Sequence, residues 1–127
     1  MPEQHLFEYA VIRVVPRVER EEFMNVGVII FSRQLKYLQC RYAIDTERLT
    51  ALCRELCLDD LTANLQAFER ICHGSAGSGP IGQLDIASRF RWLTATRSTV
   101  VQTSKVHPGF CKDADATLER LFEQQVL

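Results

Sequence analysis

The feature that most constrains this chain is a change of hydrophobic period near residue 44. Before it, apolar and polar positions alternate. After it, apolar positions recur every three to four residues. "EYAVIRVV" (8–15) sets Ala10, Ile12 and Val14 on one face and Tyr9, Val11, Arg13 and Val15 on the other. Period two with β-branched residues marks a strand, and apolarity on both faces makes this one central to its sheet. Pro16 ends it, because proline has no N–H to give a ladder. "NVGVIIFS" (25–32) supplies a second strand and "KYLQCRYA" (36–43) a third, joined by a short turn around Arg33 and Gln34. In the third, Leu38, Cys40 and Tyr42 alternate with Gln39 and Arg41, so one wet face is expected.

Beyond Asp45 the residues Leu49, Leu52, Cys53, Leu56 and Cys57 are spaced i, i+3, i+4, i+7, i+8, an amphipathic helix that Asp45 is placed to cap. That stripe puts Cys53 and Cys57 in the core, where cysteine behaves as a small hydrophobe. A second helix, with Asp59 as its expected cap, carries Leu61, Leu65, Phe68 and Cys72 inward until Gly74 stops it. "GSAGSGPIG" (74–82) has the composition of a flexible loop. "QLDIASRFRWLTA" (83–95) fits both periods: Arg89 to Trp92 alternate like a strand, while Ile86, Phe90 and Leu93 keep helical spacing. Its length favours a helix. "STVVQTS" (98–104) reads as a fourth strand and "HPG" (107–109) as a turn. Asp113 and Asp115 open a last helix whose Leu118, Leu121, Phe122 and Val126 face the core.

The order β-β-β-α-α-α-β-α predicts an α+β fold: a mostly antiparallel sheet of about four strands, with the helices packed on one face. At 127 residues, one domain spanning 1–127 can bury a core without metal or disulfide staples. A net charge of −1 gives no global field to draw in nucleic acid or an anionic membrane. "MPEQHLFEYA" lacks the basic and apolar regions of a secretory signal, and "VGVIIF" is far short of the ~20 residues that span a bilayer. A cytoplasmic protein is expected. Cys40, Cys53, Cys57, Cys72 and Cys111 form no C-x-x-C pair and are odd in number, so reduced thiols are expected. Metal-ligand spacing of the known structural types is missing, and no metal or other cofactor is expected.

Two stretches stand out as candidate sites. In "EFMNVGVIIF" (22–31), Glu22, Asn25 and Gly27 crowd the entrance of the second strand. Asn25 suits the closing of a turn, and a glycine inside a β-branched run marks a bulge or a close approach by another segment. A carboxylate beside Phe23 needs a partner if buried, and mid-strand Arg13 could supply one. The expectation is a structural Arg13–Glu22 pair, with Gly27 admitting the bulky Arg89–Trp92 region. In "SRFRWLTATRS" (88–98), Arg89, Arg91 and Arg97 flank Phe90 and the only tryptophan, Trp92. Residues 81–112 carry five Lys/Arg against one acid, while residues 44–73 carry six acids against three arginines. Arginines interleaved with aromatics serve single-stranded RNA or DNA, through phosphate contacts and base stacking. Against that stand an aromatic core role and pairing of the arginines with the acids. The glycines at 74, 77, 79 and 82 follow a helix rather than a strand and lack the G-K-[ST] ending of a phosphate loop. His107 and Cys111 have no third orienting group nearby in sequence.

"YAVIRVVP", "EFMNVGVIIF", "RFRWLTATRSTVVQTS" and "ATLERLF", in that order from Tyr9 to Phe122, resemble the bacterial family called domain of unknown function 3037. Position by position, the resemblance singles out Arg13, Pro16, Glu22, Asn25, Gly27, Arg89, Trp92, Arg97 and Gln102. Glu21 stands where the family pattern has a glycine, which loosens the preceding turn but leaves Glu22 and Asn25 in place. Members of that family are often encoded beside a HipA-like kinase gene, which implies a protein partner of that kind. The reading is therefore a non-enzymatic interaction module with candidate binding residues Arg13, Glu22, Asn25, Gly27, Arg89, Trp92 and Arg97. The rivals are a nucleic-acid binder using Arg89–Arg97 and a small enzyme using Glu22 with an arginine.

Overall fold

A computed structural model describes residues 4–95, 97 and 99–127. Its sheet is built around β1 (His5–Val14), which pairs antiparallel with β2 (Met24–Ser32) from Glu8 opposite Phe31 to Val14 opposite Met24. β2 pairs in turn with β3 (Tyr37–Tyr42), again antiparallel. The other edge of β1 is shared by two short strands in succession. β4 (Val101–Thr103) lies opposite Ile12–Val14, and β5 (His107–Cys111) lies opposite His5–Tyr9. The expected α+β class and antiparallel sheet are present, with five strands instead of four. Of the expected strand at 98–104, residues 101–103 are in the ladder, and Ser98 lies outside the described residues.

The fifth strand overturns the reading of "HPG" as a turn. Pro108 is tolerated because β5 is paired on only one side, where a missing N–H can be left facing outward. Gly109 is required by packing: a Cβ there would lie 2.6 Å from the Phe7 ring on β1. The gap between β4 and β5 is closed by Ser104. Its N–H donates to the Val11 carbonyl, and its hydroxyl accepts the Val11 N–H, each at 2.8 Å. A side-chain oxygen thus stands in for the backbone carbonyl that the break removes.

Helices cover both faces, not one. Leu49 of α1 (Thr46–Leu52), Leu61, Leu65 and Phe68 of α2 (Leu58–His73), and Phe90 and Leu93 of α4 (Ile86–Leu93) pack over Ala10, Ile12, Ile29 and Phe31. A four-residue helix, α3 (Gly79–Gly82), sits inside the stretch expected to be a flexible loop. On the opposite face, Leu118, Leu121 and Phe122 of α5 (Ala114–Gln125) cover Phe7, Val28 and Ile30. The physical reason is the two-sided apolarity of β1 and β2, which leaves a second face to bury. Residues 86–93 are helical, as their length favoured, and Asp85 caps them by accepting the Ser88 N–H.

Asp45 caps α1 and Gly74, at φ 66°, ends α2, both as the sequence predicts. The boundary between α1 and α2 differs. α1 stops at Leu52, Cys53 is extended, and Cys57 occupies the N-cap position of α2. Cys57 is therefore exposed and Cys53 only half-buried, not core residues. The spacing that looked like one stripe runs across the turn closed by the Leu56 N–H on the Cys53 carbonyl. Asp59 and Asp60 fall in the first turn of α2, where their charge suits the helix dipole, rather than at its cap. All five cysteines are free. No helix among the described residues is long and apolar enough to cross a membrane.

Because the Val11 N–H is buried and satisfied by one hydroxyl, Ser104→Ala is expected to lower stability by about 1–3 kcal/mol. Urea denaturation measures the loss, and unchanged stability would mean that water or another group replaces the hydroxyl.

Candidate functional site

A cleft of about 410 Å³ lies where α2, the end of α4 and β4 meet. α2 contributes Asn64, Ala67, Phe68 and Ile71, spaced i, i+3, i+4, i+7 along one face. Trp92, Leu93 and Arg97 form a second wall, and Val101, Gln102 and Thr103 of β4 a third. Trp92 is 39% exposed, unlike its neighbour Phe90, which is fully buried and stacks on Phe31. The Arg97 guanidinium lies 3.9 Å from the centre of the Trp92 ring and donates to the Trp92 carbonyl. That pairing fixes the indole through a cation–π contact and a backbone hydrogen bond together. Burial lowers the pKa of Arg97 from its ordinary value. The Gln102 side-chain amide donates to the Thr99 carbonyl at 2.8 Å, which ties the segment before β4 to the strand.

The other arginines of this segment are committed elsewhere. Arg91 makes a two-pronged pair with Glu8 at 2.6 and 2.8 Å. The hydrogen bond from Arg91 holds the Glu8 carboxyl below its usual range. Arg89 donates to the Leu84 carbonyl at 2.8 Å and lies against Gly74, where an added Cβ would meet its guanidinium at 2.9 Å. Its Nε is buried without a protein acceptor among the described residues. Trp92, Arg97 and Gln102 thus share one cleft, while Arg89 belongs to the corner at the end of α2.

At the entrance of β2 the expected clasp is absent. Glu22 pairs with Arg20 across 2.5 Å in the connection after β1, and about half of its side chain is exposed. Arg13 instead lies over the Phe23 ring at 4.1 Å. The reason is register: Arg13 faces Asn25 on β2 and Gln102 on β4, so Glu22 lies beyond the end of the ladder. Asn25 reaches the end of α5, donating to the Gln125 carbonyl at 3.1 Å. Between Asn25 and Gly27 the ladder slips by one, leaving Val26 as the extra residue of a bulge. Gly27 does admit a close neighbour, but it is β3, not Arg89–Trp92. A Cβ at Gly27 would lie 2.5 Å from the Arg41 carbonyl and 2.7 Å from Cβ of Tyr42.

A family model described as "Protein of unknown function (DUF3037)" matches residues 9–126. The chain belongs to the DUF3037 family. No curated protein and no solved structure matches it. Of the residues the family resemblance singles out, Arg13, Asn25 and Gln102 lie in register across three strands of this DUF3037 protein, and Trp92, Arg97 and Gln102 line the cleft. Gln102 belongs to both groups. Sequence reasoning missed the α2 wall. Its only signal was the second stripe 64, 67, 68, 71 beside the core stripe 61, 65, 68, 72.

Three outcomes follow from this geometry. Glu22→Ala, which removes an exposed pair, should change stability by less than about 0.5 kcal/mol in a denaturant titration. Gly27→Ala should cost about 1–3 kcal/mol in the same titration, since the β3 backbone must move. The Glu8–Arg91 pair sets a pH dependence. Because the folded pKa of Glu8 is depressed, its contribution is complete above the unfolded carboxylate's pKa and is lost as pH falls through the lower folded value. Glu8→Gln should therefore flatten the acid limb of stability against pH, and an unchanged limb would show that the pair contributes nothing.

Proposed function

We propose that this DUF3037 protein is a non-enzymatic interaction module that takes a protein partner, such as a HipA-like kinase, at the cleft between α2, α4 and β4. The observation that carries this reading is the half-exposed Trp92, held in place by Arg97 at the edge of a mostly apolar cleft. Tryptophan and arginine are the residue types that dominate protein interfaces, because each offers a large contact area with a polar handle. Holding the indole rigid before binding lowers the ordering cost that association must overcome. The described lining carries no histidine, carboxylate or cysteine, the groups that commonly supply acid–base or thiol chemistry. Pairing of Arg91 with Glu8 and of Arg89 with a backbone carbonyl removes two of three cations from the segment that suggested nucleic acid. Arg97 alone is a thin basis for phosphate contacts.

The test is recovery of the tagged protein at native expression, with partners identified by mass spectrometry. A protein captured by the wild type and lost at least tenfold in both Trp92→Ala and Arg97→Ala, with folding intact by circular dichroism, is the expected outcome. Capture of single-stranded RNA or DNA with an affinity that falls steeply as salt rises would replace this reading with the nucleic-acid one. Partner capture indifferent to both substitutions would move the interface away from the cleft.

A further inference from the structure

A second cluster, separate from the cleft lining, joins Cys40 to the adjacent pair Cys72 and His73. Cys40 lies on the face of β3 that α2 covers, and the last turn of α2 carries Cys72 and His73. One ligand atom from each of the three lies within 4.8 Å of the other two. Cys72 is fully buried and Cys40 8% exposed, while His73 is exposed at the helix end.

We propose that Cys40, Cys72 and His73 form a binding site for a thiophilic divalent cation, zinc, held between β3 and the C-terminal end of α2. Two thiolates and an imidazole are a donor set that zinc prefers over harder cations such as magnesium or calcium. Tetrahedral zinc–thiolate bonds place two sulfurs about 3.8 Å apart, so the cluster needs to contract by no more than about 1 Å. Rotation of the cysteine and histidine side chains covers that distance. The charge also balances: two thiolates and one divalent ion are neutral, so the filled site can stay buried at little electrostatic cost. His73 sits at the exposed side, which gives the ion a way in and leaves a fourth position to water.

The test titrates the reduced full chain with zinc against a chromogenic chelator, and with cobalt as a spectroscopic stand-in. The expected result is one ion per chain and a thiolate-to-cobalt charge-transfer band. His73→Ala, at an exposed position, should keep the fold by circular dichroism and weaken binding by at least about tenfold. Cys40→Ser and Cys72→Ser should each abolish the charge-transfer band of a two-thiolate site. If Cys72→Ser does not fold, Cys40→Ser and His73→Ala decide. The proposal is overturned by the absence of stoichiometric binding to the reduced wild type. It is equally overturned by a cobalt spectrum without thiolate bands, by affinity unchanged in His73→Ala, or by binding that survives loss of Cys40, which would place the ion on Cys53 or Cys57.

Discussion

A strand buried on both faces has no water to satisfy its backbone, so every N–H and carbonyl along it must find a protein partner. β1 is such a strand. One edge is met by β2 from Glu8 to Val14 and, at Leu6, by the side chains of Gln34 and Ser32, but the other is met by two short strands that come from a single late segment of the chain. Where β4 gives way to β5 the ladder would leave Val11 without an acceptor, and the Ser104 hydroxyl fills that place. The remaining architecture follows from this arrangement. Joining residues 101–111 to β1 brings α4 and the segment after it against α2 on one face, and feeds the chain from Cys111 into α5 on the other. The cleft exists because β4 is short and terminal, so the wall that another strand would form is open.

The stretch "EFMNVGVIIF" does structural work at three points. Phe23 is covered by the Arg13 guanidinium, Asn25 holds the end of α5, and Gly27 lets β3 approach so closely that no side chain fits. The bulge at Val26 is what allows this. It turns Asn25 toward α5 while Val26 and Met24 still pack with the first core. Removing the extra residue would shift the pairing by one and exchange the faces of Asn25 and Met24. Glu22 takes no part in it. Its partner Arg20 is two residues away, and both are largely solvated.

What the sequence made legible is local, and what it hid depends on distance along the chain. Three strands, the cap at Asp45, the opening of the last helix at Asp113 and the stop at Gly74 follow from periodicity and side-chain chemistry within a few residues. β5 was hidden because Pro108 and Gly109 are turn residues by local preference, and only the Phe7 ring, a hundred residues earlier, shows why glycine belongs there. The helix boundary at Leu52 was hidden because the i, i+3, i+4 spacing continues by coincidence through the turn between the two helices. Of the candidate site, Trp92 and Arg97 were visible as types, but not that Arg97 lies on the indole while Arg91 is spent on Glu8. That distinction depends on Glu8, 83 residues away.

Both open features of the molecule converge on one helix. α2 turns Leu61, Leu65, Phe68 and Cys72 toward the sheet, presents Asn64, Ala67 and Ile71 to the cleft, and ends at His73 beside Cys40. Phe68 belongs to the core and to the cleft wall alike, so the two surfaces cannot move independently. At the far end, Gly74 closes the helix with a left-handed residue, and Arg89 of α4 lies where its side chain would otherwise be. α4 also carries Trp92, one turn beyond Arg89. The position of the indole over the cleft is therefore set by how α4 seats against the end of α2. A glycine with no contact to the cleft thereby helps to fix the geometry of its most exposed aromatic ring.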